Sequence, residues 1–133
     1  MTLGVRGVVL DEAGRVLLVE HSYVHGWWLP GGGVDRGETL ADAVARELRE
    51  EASVEPTSPP ALVSIHSNEP RFRGDHVALF RIDHWRRIDQ RPDPREIRDV
   101  RFFAPDALPD GATQGTRRRL AEALGGVAPD AMW

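Results

Sequence analysis

A proline followed by three glycines, Pro30 to Gly33, separates two segments of opposite character near the start of the chain. Proline lacks a backbone N–H and glycine has no side chain to pack, so the run fits neither a helix nor a central strand. Upstream of it, residues 3–10 and 15–20 are rich in valine and leucine and predict two strands, which the turn residues 11–14 join as a hairpin. We therefore expect the glycine run to be a loop whose backbone approaches another group closely.

The segment after the glycine run, residues 39–52, predicts an amphipathic helix. Thr39 is a suitable N-cap, and Asp42 follows three residues later as in a capping box. Successive residues of a helix are rotated by about 100°, and at that rotation the apolar side chains fall on one stripe. The stripe consists of Leu40, Val44, Leu48 and the alanines at 41, 45 and 52.

Three glutamates of this helix, Glu47, Glu50 and Glu51, are neighbours at helical spacing. The first and the last fall at the edge of the apolar stripe, and Glu50 lies farther round. Like charges in this arrangement repel one another, which helix formation alone does not explain. A hard divalent cation such as Mg²⁺ explains it, because it prefers oxygen ligands. The alternative is a solvated acidic turn that pairs with nearby arginines.

The rest of the chain predicts three further strands at 61–66, 75–84 and 96–103, and a helix at 113–124. In that helix we expect the arginines 117–119 to point mostly outward. The stretch from 125 onward is expected to be loose, with Trp133 free to dock elsewhere. Strands interrupted by single helices indicate a mixed α/β (α+β) fold, and the length of 133 residues indicates one domain over 1–133.

Composition excludes several classes of chemistry. The chain has no cysteine, so disulfides, thiolate catalysis and cysteine zinc sites are absent. All 17 basic residues are arginine, which excludes a Schiff-base lysine and a P-loop lysine. The net charge of −4 disfavours nucleic acid as a partner. No apolar run is long enough for a membrane span and no signal-peptide pattern is present, so we expect a cytoplasmic location and no membrane partner.

The spacing of residues between Gly32 and Val54 resembles the signature of the Nudix hydrolase family, in its small MutT-like form. That signature reads glycine, five residues, glutamate, seven residues, then Arg-Glu-aliphatic-any-Glu-Glu-any-glycine-aliphatic. Every specified position matches except Ser53, where the family usually has a glycine that ends the helix. The preceding Leu29 to Gly32 is also similar to the family's usual lead-in.

This resemblance implies a fold and an activity. The fold is a Nudix α/β/α sandwich with a mixed central sheet, in a single domain that carries its Nudix box at 32–54. The activity is hydrolysis, with Mg²⁺ or Mn²⁺, of the pyrophosphate linkage of a nucleoside diphosphate joined to another moiety X. X stays open among nucleoside triphosphates, modified nucleotides, ADP-ribose and similar compounds. A catalytically inactive sensor of nucleotides is the alternative, and a homodimer is possible.

The resemblance also implies residue roles. The expected catalytic residues are Glu50, Glu47 and Arg46, the arginine acting by orienting the glutamates. The expected metal ligands are Glu47, Glu51, Glu50, the carbonyl of Gly31, Glu38 and Glu96. The general base is left open between Glu50, Glu47 and a carboxylate of a later loop, the candidates there being Glu69, Asp75, Asp93 and Glu96.

Four residues outside the box are predicted to contact the substrate. Tyr23, Trp27 and Trp28 precede the glycine run and offer aromatic surfaces on which a base or X can stack. The alternative is that one tryptophan belongs to the core and the other covers a sheet edge. Arg71 is placed to meet phosphates, with a solvated loop as its alternative.

Overall fold

The computed structural model describes residues 1–69 and 71–133 of the chain. Nine strands and two helices are found in these residues. The helices are α1 (Leu40–Ala52) and α2 (Gln114–Gly125). The strands are β1 (Thr2–Val9), β2 (Val16–His21), β3 (Trp27–Trp28), β4 (Gly31–Gly33), β5 (Val54–Pro56), β6 (Ala61–Ser67), β7 (Asp75–Ile82), β8 (Trp85–Arg87) and β9 (Ile97–Phe103).

The central sheet has the strand order β4-β1-β7-β6. Its middle pair, β1 and β7, is parallel, whereas β1 with β4 and β6 with β7 are antiparallel, so the sheet is mixed. A second sheet has the order β3-β2-β9, and β5 pairs with β8. The parallel register joins residues more than 70 positions apart, from Thr2 opposite Asp75 to Val9 opposite Ile82.

Two apolar cores lie on opposite sides of the central sheet. Strand β1 contributes to both, because its side chains alternate between the two faces. Val5 and Val9 pack with α1, and Val8 packs with Leu120 of α2. The two helices therefore cover opposite faces of the sheet, which is the α/β/α arrangement predicted from the sequence. Helix α1 buries its predicted stripe, including Val44, Leu48 and Ala52.

The predicted hairpin of the first two strands is wrong. Residues 11–14 do form the turn, and Leu10 bridges Val16 beyond it. After that bridge the two strands separate, because β1 pairs with β4 and β7 while β2 pairs with β3 and β9. This divergence follows from pairing with distant segments, which the local pattern does not encode.

The glycine run is an edge strand and not the predicted loop. Gly31, Gly32 and Gly33 lie opposite Arg6, Val5 and Gly4 of β1. A Cβ on Gly31 would overlap the carbonyl oxygen of Val5, so only glycine fits at this distance from β1. The expectation of a close backbone approach is therefore confirmed, and the partner is the neighbouring strand.

The end of the chain differs from the prediction in two ways. Arg119 is completely buried, although the sequence pattern predicted that the arginines 117–119 point mostly outward. The segment 130–133 is docked and not loose, since Met132 bridges Ser67 at the end of β6, whereas the docking of Trp133 itself was anticipated. In the part of the chain that the structure describes, neither helix is long and apolar enough to cross a membrane.

Candidate active site

A buried carboxylate on α1 meets the edge strand β4. Glu51 is 7% exposed, and its Oε1 accepts a hydrogen bond of 2.8 Å from the backbone N–H of Gly31. Burial raises the pKa of Glu51 to about 8, and the nearby carboxylates of Glu47 and Glu96 add to the rise. The Gly31 N–H and the guanidinium of Arg6 act in the opposite direction. The site therefore holds a carboxyl group whose charge the protein compensates incompletely.

A second carboxylate, that of Glu47, lies beside the next glycine of β4. A Cβ on Gly32 would stand 2.6 Å from Glu47 Oε1, so the absence of a side chain at Gly32 makes room for this carboxylate. Burial raises the pKa of Glu47, and the Arg46 guanidinium lowers it in part. The repulsion expected between neighbouring glutamates appears here, because Glu50 also raises the pKa of Glu47.

Arg46 organises the exposed side of this cluster. Its Nε and Nη2 donate to the carboxylate of Glu38 at 2.7 and 2.9 Å, and its Nη1 donates to Glu47 Oε1 at 2.9 Å. Its Nη2 also donates to the carbonyl oxygen of Gly33 at 3.0 Å, which ties α1 to β4. Glu50 is reached only at 3.5 Å. Arg46 therefore fixes the orientation of the Glu38 and Glu47 carboxylates.

Glu38 is held by hydrogen bonds more firmly than its neighbours on α1. The Arg46 side chain lowers the pKa of Glu38 to about 2, and a hydrogen bond from the Asp35 N–H contributes. Glu38 is therefore a carboxylate at neutral pH. Its charge is already matched by Arg46, whereas the Glu51 carboxyl has no such ion pair among the residues described.

Arg6 is a functional candidate that the sequence reasoning missed. Its Nη1 donates to the carbonyl oxygens of Leu29 at 2.9 Å and Gly31 at 3.4 Å. Burial lowers the pKa of Arg6, and the carboxylates of Glu51 and Glu47 raise it in turn. Its guanidinium carbon lies 5.8 Å from the ring centre of Trp28. A lone arginine in the otherwise apolar stretch 3–10 was the only signal for it in the sequence.

A cavity of about 460 Å³ opens next to Arg6, within the size range of small-molecule sites. It brings together three of the four predicted substrate residues, Tyr23, Trp28 and Arg71. The Arg71 guanidinium lies 5.1 Å from the ring centre of Trp28, a cation–π distance. The sequence reasoning missed the remaining lining residues, which are Arg6, His21, Val24, Asn68, Phe72, Val77 and Trp133.

The structure places two predicted residues apart from these groups. Trp27 lies outside the cavity and packs edge-to-face on Phe103, with ring centres 5.0 Å apart. Backbone hydrogen bonds with Gly111 and Thr113 hold Trp27, partly buried, against the core beside α2.

Two predicted carboxylates are exposed. Glu96 lies just before β9, and its charge still acts on Glu51 and His21. Glu50 is the most exposed of the three box glutamates on α1, with half of its side chain in solvent.

Ser53 occupies the position where the signature has glycine, and it takes the conformation of that glycine. It ends α1 in the left-handed region with φ 57° and ψ 35°, and its N–H donates to the Leu48 carbonyl. Among the residues with described geometry it is the only one besides glycine with a positive φ. Its hydroxyl donates to the carbonyl oxygen of Gln90, a contact that glycine could not make.

The donor set suits a hard divalent cation with few protein ligands. Glu51 offers a buried and Glu47 a partly buried carboxylate, and the Gly31 carbonyl belongs to the residue whose N–H Glu51 accepts. Residues 1–69 and 71–133 contain no preformed group of three or more His, Asp or Glu side chains suited to a metal. Mg²⁺ does not require one, because it usually binds one or two carboxylates and retains several waters.

Comparison with known proteins decides the family. The family model of the NUDIX domain matches residues 1–124. The chain belongs to the Nudix family. The resemblance drawn from residues 32–54 is thereby confirmed over most of the chain, and the solved Nudix structures agree with the predicted fold.

Several Nudix relatives are similar along most of this chain. A MutT-like protein of Streptomyces ambofaciens is 29% identical over 128 residues, which cover 96% of this chain and 80% of the relative. A putative 8-oxo-dGTP diphosphatase of Bacillus subtilis is 34% identical over 79 residues, which cover 59% of this chain and 52% of the relative. An NAD-capped RNA hydrolase of Vibrio vulnificus is 30% identical over 84% of this chain, which spans only 42% of that protein.

Solved Nudix structures match the fold closely. The MutT Nudix hydrolase of Burkholderia pseudomallei has a TM-score of 0.74 at 25% identity, covering 87% of this chain and 92% of that one. An ADP-ribose pyrophosphatase of Streptococcus suis has a TM-score of 0.70 at 25% identity, covering 99% of this chain and 96% of that one. The order of strands and helices described above is therefore that of an established Nudix fold.

Proposed function

We propose that this Nudix domain, taken as one unit over residues 1–133, is a divalent-metal-dependent pyrophosphohydrolase. Its substrate is a nucleoside diphosphate linked to another group X. The observation that carries the proposal is the buried Glu51 carboxyl, which accepts the Gly31 N–H, beside Glu47, for which Gly32 of the same strand leaves room. Burial makes ionisation of the Glu51 carboxyl costly, and a bound cation would offset that cost.

The proposed ligands are Glu47, Glu51 and the Gly31 carbonyl, with Glu50, Glu38 and Glu96 joining directly or through water. Mg²⁺ is the proposed ion and Mn²⁺ its substitute, since both prefer oxygen ligands. When bound, such an ion neutralises the pyrophosphate and makes an attacking water more acidic. Residues of the chain do the rest: Arg46 orients Glu38 and Glu47, and a box carboxylate accepts the proton of the water.

We assign the general base to Glu50 in preference to Glu47. Half of the Glu50 side chain is exposed, and its contact with Arg46 at 3.5 Å is long, so this carboxylate is free to reach a water molecule. Glu47 is engaged by Arg46 at 2.9 Å and lies against Gly32. A base must be within hydrogen-bond reach of the proton that it removes.

The cavity beside Arg6 is the proposed place for the nucleotide. Tyr23 and Trp28 offer aromatic surfaces to a base, and Arg71 offers a guanidinium to a phosphate. Trp27, partly buried against Phe103, is not part of this proposal. The named activities of the relatives supply the panel of candidates: an oxidised nucleoside triphosphate, ADP-ribose and NAD-capped RNA. The net charge of −4 favours a small nucleotide over RNA.

The deciding experiment is hydrolysis of this panel with Mg²⁺ and with Mn²⁺, comparing the unaltered chain with Glu51→Gln and Glu50→Gln. Release of a nucleoside monophosphate from one class is the expected result, with turnover reduced at least 100-fold in both variants. Glu12→Gln, an exposed turn residue, is the matched control and should retain activity.

Two outcomes would contradict the proposal. Unchanged turnover in Glu51→Gln would show that Glu51 is not a ligand of the catalytic metal. Nucleotide binding without hydrolysis of any substrate would instead identify a sensor. A homodimer stays a prediction, which light scattering of the purified chain tests.

A further inference from the structure

The cavity that holds Tyr23 and Trp28 is completed by a residue from the other end of the chain. Trp133 lines it together with Trp28, Arg71 and Phe72. Tyr23 is 73% exposed and Phe72 is 57% exposed, so large aromatic surfaces face solvent around this opening. Exposed aromatic side chains that converge on one cavity are typical of a site that stacks a planar ligand.

Backbone hydrogen bonds hold Trp133 at this place. Its N–H donates to the Ser67 carbonyl at 2.8 Å, and the Ser67 N–H donates to the Ala131 carbonyl at 2.8 Å. Residues 131–133 therefore extend the edge of β6 for a short distance in parallel. The Trp133 carbonyl accepts from Arg118 of α2 at 2.6 Å. The tryptophan is thus fixed to both the central sheet and α2.

A buried ion pair on α2 holds the same segment from inside. Arg119 is fully buried, and its Nη2 donates to Glu122 Oε2 at 2.8 Å. Arg119 Nη1 donates to the Met132 carbonyl at 2.9 Å, and Glu122 Oε2 accepts from the Asp130 N–H at 2.9 Å. Apart from the bond between them, the two side chains therefore direct these hydrogen bonds to the backbone of residues 130–132. Arg119 and Glu122 act on the cavity as positioning residues, through Trp133.

The indole ring itself rests on a glycine. A Cβ at Gly115 would overlap Nε1 of Trp133 and stand 2.9 Å from its Cδ1. The ring also stacks edge-to-face on His66, with centres 5.6 Å apart. The guanidinium carbon of Arg119 lies 5.1 Å from its centre. The orientation of the ring is therefore determined by contacts on several sides.

Two arginines line the cavity without a direct ion pair in the described residues. Within residues 1–69 and 71–133, neither Arg6 nor Arg71 forms an ion pair. Both lie near the Trp28 ring, at 5.8 and 5.1 Å from its centre. The cavity thus combines two guanidinium groups, which suit phosphates, with aromatic walls, which suit a planar base.

We propose that Trp133 is a specificity-determining wall of the nucleotide site, against which the substrate's heteroaromatic base stacks. This inference rests on the proposed function only in taking a nucleotide as the ligand. The base occupies the aromatic end of the cavity, and the phosphates extend past Arg6 toward Glu51. The docked segment 130–133 is accordingly part of the binding site.

Equilibrium binding tests this wall without requiring hydrolysis. The titrants are the α,β-methylene analogues of ADP, GDP, CDP and UDP, and methylenediphosphonate, which carries no base, all in Mg²⁺. Trp133→Ala is expected to weaken binding of the preferred nucleotide analogue about 10-fold or more, because base stacking on an aromatic ring contributes that much. Binding of methylenediphosphonate should be unchanged. Trp133→Phe should restore most of the loss, and Trp85→Phe, outside the cavity, is the control.

Gly115→Ala gives a second variant that leaves Trp133 in place. The new Cβ, in the first turn of α2, requires the indole to move. Nucleotide affinity should fall as in Trp133→Ala, while binding of methylenediphosphonate should again be unchanged. A change in tryptophan fluorescence reports the displaced ring.

The proposal is overturned if Trp133→Ala weakens nucleotide and methylenediphosphonate equally, or weakens neither. It is also overturned if Trp133→Phe behaves like Trp133→Ala, or if no nucleotide analogue binds the unaltered chain. These outcomes are independent of the hydrolysis panel. If no substrate of the panel is hydrolysed but nucleotide binding still depends on Trp133, the proposed hydrolase activity is refuted and the role of Trp133 in binding stands.

Discussion

The carboxylate of Glu51 accepts a hydrogen bond from the backbone N–H of Gly31 over 2.8 Å, which joins α1 to the edge of the central sheet. Burial raises the pKa of this carboxyl to about 8, against an ordinary value of 4.5. The folded chain therefore binds the Glu51 proton more tightly than the unfolded chain does. The resulting stability is complete below about pH 4.5 and is lost as the pH rises to about 8.

Glu51→Gln should therefore be more stable than the unaltered chain at alkaline pH when metal is removed. Glutamine keeps an oxygen for the Gly31 N–H and has no proton to lose. With a chelator at pH 9 we expect a gain on the order of 2–4 kcal/mol in the free energy of unfolding, and almost none at pH 4.5. Urea unfolding at both pH values measures it. Added Mg²⁺ should stabilise only the unaltered chain, and equal stability at pH 9 would show that Glu51 is not destabilising.

Gly32→Ala should impair the metal site without unfolding the protein. The new Cβ would stand 2.6 Å from Glu47 Oε1, so the carboxylate has to turn away. A displaced ligand or orienting group typically costs about 10–100-fold in metal affinity or activity. Mn²⁺ binding followed by electron paramagnetic resonance measures the loss. Gly33→Ala is the matched control, since nothing lies within 4 Å of its Cβ, and equal effects of the two substitutions would refute this role of Gly32.

Two substitutions of Ser53 should separate the stability cost of its left-handed backbone conformation from the stability gained by its hydroxyl. Ser53→Ala keeps the left-handed conformation at φ 57° and loses the hydrogen bond to Gln90, so we expect a destabilisation of about 1 kcal/mol. Ser53→Gly loses the same bond and relieves the conformation, which offsets the loss by about 1 kcal/mol. Thermal unfolding of the two variants should place glycine above alanine. The reverse order would show that the serine is unstrained.

Arg119 and Glu122 should behave as a coupled pair. Arg119→Met leaves the Glu122 carboxylate buried without its partner and should cost about 3–5 kcal/mol. The double variant Arg119→Met, Glu122→Leu removes both charges and should be more stable than the single one. Urea unfolding of the single variants and the double variant gives the coupling energy. Additive effects would mean that the two side chains act independently.

Much of α1 could be predicted from the sequence because its determinants are local. The N-cap Thr39 accepts the Asp42 N–H as expected, and the helix ends within one residue of the predicted boundary. The helical spacing of the three glutamates also predicted correctly which of them are buried and which is exposed. Glu51 is buried, Glu47 is nearly so, and Glu50 is half exposed.

What the sequence could not supply depends on contacts between distant residues. The pairing of β1 with β7 sets the face on which Arg6 lies, and nothing near residue 6 in sequence encodes it. The same holds for Trp133, whose position depends on Ser67, Arg118 and Gly115. Arg119 was expected in solvent because isolated arginine runs usually are, whereas its partners lie on the docked segment 130–132.

The two-sided use of β1 has a consequence for how such a domain can change during evolution. The carboxylates proposed for hydrolysis lie on α1 beside the edge strand β4, while the aromatic and basic cavity lies toward α2 and the segment 130–133. Arg6 is the link, since it donates to the Gly31 carbonyl and also faces Trp28. Substitutions around the cavity can therefore retune ligand preference while the reaction chemistry is inherited unchanged.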